Sequence, residues 1–444
     1  ISRGGFMKIY NSLSKKLEEF RPIEEGKITM YVCGPTVYNY VHIGNMRPVI
    51  TFDMVYNYFK YLGYQVTYAS NFTDINPKIT KAAQELNINE REVAARFIKA
   101  YLDDLKNYNC NIIDKRPRVI ESLDDIFKFI ETLIAKDFAY VIDESVYFRV
   151  SKIKDYGILS KQDIEDLISG SRIEINEKKE NPLDFALWRK TDEGEQFDSP
   201  WGKGIPGWHT ECVVMINKIF GPKIDIHAGG VDLKFPHHEN EIAQSIALNN
   251  NYIANYWMHN GHININNEKM SKSIGNFIFA KDFIKEHNAN EIKIAFLNTH
   301  YRQPLNLTTK IFEEAQNINN KIIAVLKKAN LHLNINHLKY TKTSVKDALF
   351  EEYMNDDFNT PNVITLLLTL VKELNQEIRT QGKNILLLTS KILTITNILG
   401  LTYNMPQLTE HQREIYNKWT EERAKKNYEK ADYYRQELIK ENIL

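Results

Sequence analysis

The chain has 444 residues, more than one hydrophobic core usually organises, so we expect two or three domains. Hydrophobic residues make up 43% and charged residues 26%, a composition that excludes a disordered chain. The sequence contains no run of about 18 apolar residues, the length that a membrane span needs. The formal net charge is zero, which excludes a global basic signature for nucleic-acid binding. Three scattered cysteines, Cys33, Cys110 and Cys212, exclude a disulfide framework and favour a cytosolic protein.

The N-terminal part of the chain predicts a βαβ unit. We expect the six residues before Met7 to precede the natural start. Residues 28–32 are typical of a short buried strand, residues 48–62 of a helix that ends before Gly63, and residues 65–69 of a second strand. This order favours a parallel sheet.

The rest of the chain predicts an insertion, the second half of the sheet and a helical region. Residues 87–136 are helix-like and interrupt the strand pattern, as an insertion would. Two segments rich in glycine and proline, 202–208 and 229–236, indicate loops that carry functional groups within the second half of the sheet. From residue 307 onward, long runs at helical spacing predict a separate helical domain.

A candidate phosphate-binding motif lies between the first strand and the first helix. It runs from His42 to Asn45, where backbone N–H groups and the helix dipole can hold an anion. Gly44 allows the backbone to come close to a ligand. By itself this motif is only a turn that contains a histidine.

A second candidate motif follows more than two hundred residues later. Lys269 and Lys272 flank Ser271 in a predicted loop, and both can reach one polyphosphate and offset the charge of a departing pyrophosphate. By itself this motif is typical of a solvated loop. The two motifs in this order indicate a nucleotide site.

Two cysteines and an acidic, histidine-containing run supply candidate metal ligands. Cys33, Cys212, His237, His238 and Glu241 are donors that zinc prefers. If the run forms a helix, His237 and Glu241 share one face, and His238 with Glu241 is the competing pair. Both cysteines could equally be buried apolar residues, so the pattern alone leaves the metal open.

The two nucleotide motifs resemble the HIGH and KMSKS signatures of the class I aminoacyl-tRNA synthetases. Segments 31–38, 207–212 and 225–241 further resemble the cysteinyl branch of that family. The resemblance implies an α/β fold with a Rossmann-type parallel-sheet catalytic domain over residues 7–306, including the helical insertion at about 87–136. An all-α tRNA-binding domain over residues 307–444 would follow it.

The resemblance also implies ligands, substrates and roles. One zinc ion per chain would be held by Cys33, Cys212, His237 and Glu241, so that the ion can bond the thiol of the substrate. ATP with Mg²⁺, cysteine and tRNA(Cys) would be the partners of a monomer that needs no membrane. The implied contacts are His42, Gly44 and Asn45 with the ATP phosphates, Lys269 and Lys272 with the pyrophosphate, Gly230 and Asp232 with the nucleoside, and Thr73 and Trp208 with the amino acid.

One position departs from the family pattern and two other functions compete with this one. Asn45 stands where the commonest signature has a second histidine, although an amide can also donate hydrogen bonds to phosphate. A ligase that passes activated cysteine to an amino sugar would lack the long helical domain. A noncatalytic zinc- and nucleotide-binding regulator would not need both motifs.

Overall fold

The computed structural model describes residues 6–110, 112–161, 178–270, 277–340, 345–441 and 443. The strands in chain order are β1 (Lys8–Asn11), β2 (Lys16–Glu19), β3 (Lys27–Val32), β4 (Gln65–Ala69), β5 (Ala139–Ile142), β6 (Ser145–Phe148), β7 (Phe185–Lys190), β8 (Phe197–Ser199), β9 (Gly202–Pro206), β10 (Ile224–Gly230), β11 (Ala254–Asn260), β12 (Ile263–Ile265), β13 (Glu268–Lys269) and β14 (Leu305–Leu307). The helices are α1 (Ile43–Tyr61), α2 (Pro77–Leu86), α3 (Glu90–Asn107), α4 (Leu123–Ala135), α5 (Trp208–Phe220), α6 (Glu239–Asn249), α7 (Ala280–Glu286), α8 (Ala289–Leu297), α9 (Thr309–Ile335), α10 (Ala348–Asn355), α11 (Thr360–Thr380), α12 (Ile385–Ile398), α13 (Glu410–Ala424) and α14 (Tyr428–Lys440).

A four-stranded parallel sheet forms the centre of the molecule. Its strand order is β11-β10-β3-β4, and β3 pairs in parallel with both β4 and β10. The predicted βαβ unit is therefore confirmed. Because parallel strands end at the same edge of a sheet, the loops that follow β3, β10 and β11 meet there.

Helix α1 begins earlier than the sequence predicted. The expected start near Pro48 is wrong, because the helix already begins at Ile43 and contains the proline. The preceding residue, His42, is extended, and its N–H donates to Oδ1 of Asn45 at 3.1 Å. This cap starts the helix before the proline, so the phosphate-binding motif is a helix N-terminus.

The segment between the two halves of the sheet contains more than helices. Helices α2, α3 and α4 are followed by a five-stranded antiparallel sheet of order β5-β6-β7-β9-β8, which the sequence interpretation missed. Its β5–β6 hairpin turns at Asp143 and Glu144, both with positive φ, and lacks the glycine that usually marks such a turn. The prediction of a loop over residues 202–208 is also wrong, because residues 202–206 form β9, and short strands with glycine and proline give a weak sequence signal.

The two faces of the central sheet pack against different layers. On β3, the side chains of Met30 and Val32 join one core, whereas Tyr31 joins the other. The first core continues into the C-terminal helices, where Tyr58 of α1 donates a hydrogen bond to Asn355 at 2.8 Å. Helices α13 and α14 pack around a small core of their own. Within the described ranges, no helix combines the length and apolar character that a membrane crossing requires.

Candidate active site

A cleft of about 470 Å³ opens at the carboxyl ends of the parallel strands. It is lined by residues from widely separated parts of the chain. Of the residues that the sequence predicted for function, the cleft brings together Cys33, His42, Gly44, Asn45, Trp208, Gly230 and Asp232. Ligands of open α/β sheets bind at this edge, so the location fits a binding site.

The nucleotide motifs meet at one end of this cleft. The first turn of α1 lies beside the segment that follows the second motif, because Ile43 N–H donates to Ile278 O at 3.0 Å and Ala280 N–H donates to Val41 O at 2.9 Å. A Cβ atom on Gly44 would lie 3.0 Å from Cε of Met270. A helix N-terminus next to this segment suits an anionic ligand.

The second motif, which holds Lys269 and Lys272, is described only in part. Lys272 lies outside the described residues, and only the backbone of Lys269 is described, where it pairs with Asn264. Met270 and Phe277, which stand on either side of the undescribed residues 271–276, both line the cleft. The chain therefore borders the site both directly before and directly after residues 271–276.

Four donor side chains converge beside the cleft, and one of them, Cys33, lines it. Their ligand atoms all lie within 4.8 Å of one another. The sulfur atoms of Cys33 and Cys212 are 3.7 Å apart, Cys212 Sγ is 3.7 Å from His237 Nε2, and His237 Nε2 is 2.9 Å from Glu241 Oε1. We call this group the metal cluster: Cys33, Cys212, His237 and Glu241.

The spacing of the metal cluster fits a tetrahedral ion. With Zn–S bonds of about 2.3 Å, two sulfur ligands stand about 3.8 Å apart, close to the observed sulfur separation. A second group of donors is equally compact and shares Cys33 and Glu241, but takes His227 and His238 in place of Cys212 and His237. The donor atoms can hold a metal in either arrangement, and only the first includes two cysteine sulfurs.

The ionisable groups of the metal cluster shift one another's pKa values. The thiol of Cys33 donates to Cys212 and lowers the pKa of Cys212 to about 6, whereas burial raises the pKa of Cys33. Burial would raise the pKa of Glu241, but the charges of His227 and His237 hold it well below its ordinary value. Burial alone would lower the pKa of His237, yet Glu241 and Cys212 raise it to about 10. Cys212 and Glu241 are thus the negative members of the cluster, and a bound metal ion would have to displace the protons of Cys33 and His237.

A layer of further histidines supports the metal cluster, and the sequence interpretation missed it. His209 Nδ1 lies 3.1 Å from His237 Nδ1, and His227 Nε2 lies 2.5 Å from Glu241 Oε2. His259 Nε2 is 2.9 Å from His238 Nδ1. Contacts of this kind orient metal ligands. The sequence held only a weak signal for these histidines, because His227 and His259 lie near the ends of two strands that become neighbours in the folded sheet.

The two residues predicted for the amino-acid pocket have different environments. Trp208 is 40% exposed at the start of α5 and stacks on His237 with 4.2 Å between ring centroids. Thr73 is buried behind the wall of the cleft, and its hydroxyl group donates to Glu211 at 2.7 Å. Asn71, whose Nδ2 donates to the Thr73 hydroxyl group at 3.3 Å, and Glu211 thus adjoin the site, although the sequence interpretation did not single them out.

Two family models match the chain. Residues 19–317 match the model described as tRNA synthetases class I (C) catalytic domain, and residues 349–404 match the DALR domain. The cysteine–tRNA ligase of Acholeplasma laidlawii is 46% identical over 439 residues, which cover 99% of this chain and 100% of that protein. The cysteine–tRNA ligase of Bacillus velezensis is 46% identical over 454 residues, covering 98% and 96%.

Solved structures show the same fold at low sequence identity. The methionyl-tRNA synthetase of Mycobacterium tuberculosis in complex with methionyl-adenylate has a TM-score of 0.61 at 12% identity, covering 84% of this chain and 89% of that chain. A putative arginyl-tRNA synthetase from Campylobacter jejuni has a TM-score of 0.57 at 12% identity, covering 86% and 94%. The predicted Rossmann-type catalytic domain with C-terminal helices is confirmed.

Proposed function

The chain belongs to the cysteine–tRNA ligases, the cysteinyl branch of the class I aminoacyl-tRNA synthetases, and we propose that a zinc ion in the metal cluster makes it selective for cysteine. It is an ATP-dependent ligase that joins cysteine to tRNA. One observation carries the proposal: Cys33 of the metal cluster lines the same cleft as His42 and Gly44. A thiol bound at the cluster and a nucleotide bound at α1 would therefore share one cavity.

The nucleotide end of the cleft would hold ATP for attack by the cysteine carboxylate on the α-phosphate. The N-terminus of α1 offers backbone N–H groups, and His42 and Asn45 would add side-chain donors to the phosphates. The Oδ1 atom of Asn45 is occupied by its bond to His42 N–H, which leaves the amide nitrogen to donate. Gly230 and Asp232, which line the cleft, would contact the nucleoside.

Lys269 and Lys272 would stabilise the departing pyrophosphate. Lys269 directly precedes Met270 in the chain, and Lys272 stands between Met270 and Phe277, which both line the nucleotide end of the cleft, as this role requires. Magnesium bound with ATP would share the neutralisation of charge. A terminal ribose hydroxyl group of tRNA(Cys) would then take the cysteinyl group from the adenylate.

The residues of the metal cluster would hold zinc, and the thiol of the substrate would bind the same ion as a further ligand. Zinc bonds a thiolate strongly and the hydroxyl group of serine poorly. A pocket that relied on shape would separate such small side chains only about 10- to 200-fold. We favour the arrangement with His237, because it pairs both cysteine sulfurs with a histidine at tetrahedral spacing.

The C-terminal helices would bind tRNA. Residues 349–404 match the DALR domain, and the relatives with cysteine–tRNA ligase names match almost the whole chain, helices included. We keep residues 7–306 as the catalytic domain and 307–444 as the tRNA-binding domain. The alternative amino-sugar acceptor has no such support.

Cysteine-dependent exchange of pyrophosphate into ATP tests the proposal. We expect exchange with cysteine but not with serine, loss of exchange with a zinc chelator, and charging of tRNA(Cys). Cys212→Ser should lose zinc or cysteine selectivity, whereas Cys110→Ser, a change of a buried cysteine outside the metal cluster, should keep both. Equal exchange with serine, or a fully selective and zinc-loaded Cys212→Ser enzyme, would refute it.

The choice between the two histidines needs its own measurement. His237→Ala should lower the zinc content below one ion per chain. His238→Ala should retain the ion, because the ring of His238 belongs to the supporting layer. The opposite pattern in metal analysis would assign the second arrangement.

A further inference from the structure

Three basic side chains from separate parts of the chain gather beside the cleft. Lys15 is exposed at the turn between β1 and β2, and Arg302 lies in the loop before β14. Lys234 is half-buried and directly follows Leu233, which lines the cleft. We call this group the basic cluster: Lys15, Lys234 and Arg302. It stands at the rim of the cleft.

The hairpin of β1 and β2 contacts the segment that carries Arg302. The guanidinium group of Arg302 lies over the ring of Tyr10 in β1, 4.3 Å from the ring centroid. The same group donates to Asp357 Oδ2 at 2.6 Å, and Tyr10 N–H donates to Asp357 Oδ1 at 2.9 Å. One carboxylate therefore holds Arg302 against the hairpin.

The same hairpin contacts the segment that carries Lys234. Ser12 Oγ lies 2.9 Å from His259 Nδ1, and His259 Nε2 lies 2.9 Å from His238 Nδ1. Lys15 follows Ser12 by three residues, and Lys234 precedes His238 by four. These contacts bring the turn at Lys15 and the segment of Lys234 to the carboxyl end of β11, where His259 lies.

The charges of the basic cluster are not balanced. Asp357 offsets the charge of Arg302, but among the residues that the structure describes neither Lys15 nor Lys234 forms an ion pair. Burial lowers the pKa of Lys234, and the positive charges of Lys15 and Arg302 lower it further. Like charges that gather without an anion repel one another, and a bound anion relieves this repulsion.

The substrates of the proposed reaction narrow the choice of anion. The triphosphate of ATP is assigned to the N-terminus of α1, whereas Lys234 lies two residues after Asp232, which is assigned to the nucleoside. A tRNA must bring its terminal ribose into the cleft, so the phosphates of its last nucleotides pass over the rim. Basic side chains that contact such phosphates position a nucleic acid without reading its bases.

We propose that the basic cluster binds a backbone phosphate group of the tRNA substrate at the rim of the cleft. This inference rests on the proposed function, because it takes the triphosphate of ATP to lie at α1. The formal net charge of the chain is zero, so affinity for a polyanion has to come from local groups of this kind. The cluster positions the 3′ strand of the tRNA for transfer.

The salt dependence of tRNA charging tests this site. Lys234→Gln and Lys15→Gln should each raise the KM for tRNA(Cys) about 3- to 10-fold at low salt. The slope of log kcat/KM for tRNA against log salt should become shallower by about 1 in each variant, as removal of a phosphate contact requires. The KM values for ATP and cysteine in pyrophosphate exchange without tRNA, and the zinc content, should stay unchanged.

Matched variants keep the test decisive. Lys234→Arg keeps the charge and should keep the wild-type salt slope. Lys218 is an exposed lysine of α5 that pairs with Asp125 at 2.6 Å, so Lys218→Gln should not change the KM for tRNA. If Lys234→Gln does not fold, Lys15→Gln, a change of an exposed side chain, should still show the shallower slope.

A wild-type salt slope and a wild-type KM for tRNA in both glutamine variants would overturn the proposal. An equal rise in the KM for ATP during pyrophosphate exchange would overturn it as well, since that result would assign the basic cluster to the nucleotide. Failure of the wild-type enzyme to exchange pyrophosphate with cysteine would instead overturn the proposed function. The two failures are therefore distinguishable.

Discussion

Replacement of Arg47 should lower the stability of the fold and loosen one wall of the cleft. Arg47 lies on α1 with 1% of its surface exposed. Its guanidinium group donates to His262 O at 2.7 Å and to Gln303 O at 2.5 Å. Because Gly261 and His262 line the cleft, this side chain holds part of the cleft wall against α1.

The magnitude follows from the groups that lose their partner. Arg47→Met leaves Gln303 O without this donor, whereas His262 O keeps its bond from Leu305 N–H at 2.9 Å, so we expect a loss of about 1 to 3 kcal/mol in unfolding free energy. Arg47→Lys keeps the charge but cannot bridge both carbonyls as the planar fork does, and should lose part of this amount. The KM for ATP should rise in both variants because the cleft wall loosens.

Urea unfolding followed by tryptophan fluorescence measures the first effect, and pyrophosphate exchange measures the second. Arg91→Met provides the control, since Arg91 is an exposed side chain paired with Glu195 and should contribute less than about 1 kcal/mol. Equal stability of Arg47→Met and Arg91→Met would show that the carbonyl contacts of Arg47 do not hold the cleft.

Three other changes should have measurable effects. Lys293 is completely buried 3.7 Å from Asp53 and also donates to Asn109 O and Gly400 O at 2.9 Å, so Lys293→Met should cost about 3 to 5 kcal/mol in urea unfolding. The double variant Lys293→Met/Asp53→Leu should recover only part of it, because the two carbonyl groups stay without this donor; an equally unstable double variant would refute the pairing with Asp53. Burial, with the charge of Asp103, raises the pKa of Asp104 to about 6, above the value of about 3.9 in an unfolded chain, so the folded state holds the proton more tightly. Stability should therefore fall as the pH rises from about 4 through about 6, and Asp104→Asn should flatten this part of the profile of urea midpoints; an unchanged profile would contradict the assignment. A Cβ atom on Gly34 would lie 1.7 Å from Asn71 O, so Gly34→Ala should displace Cys33 and lower the zinc content, and a full zinc content would contradict this.

Local patterns in the sequence were sufficient for much of the architecture. Strand and helix periodicity predicted β3, the body of α1 and β4, and the long helical runs predicted the C-terminal helices, because each pattern reflects burial on one element. The start of α1 was not predicted, since proline usually marks a first turn and here a cap at His42 starts the helix earlier. The antiparallel sheet was missed because its strands have three to six residues each.

The sequence alone determined the type of chemistry, through two motifs whose residues are neighbours in the chain. It left open which donors meet, and the family resemblance rather than spacing selected His237. Only the tertiary structure decided that Cys33 stands beside Cys212, 179 residues away, and that Thr73 donates to Glu211. The physical reason is that the strand order and the placement of α5 bring together segments that are distant in the chain, and no local pattern records which of them meet.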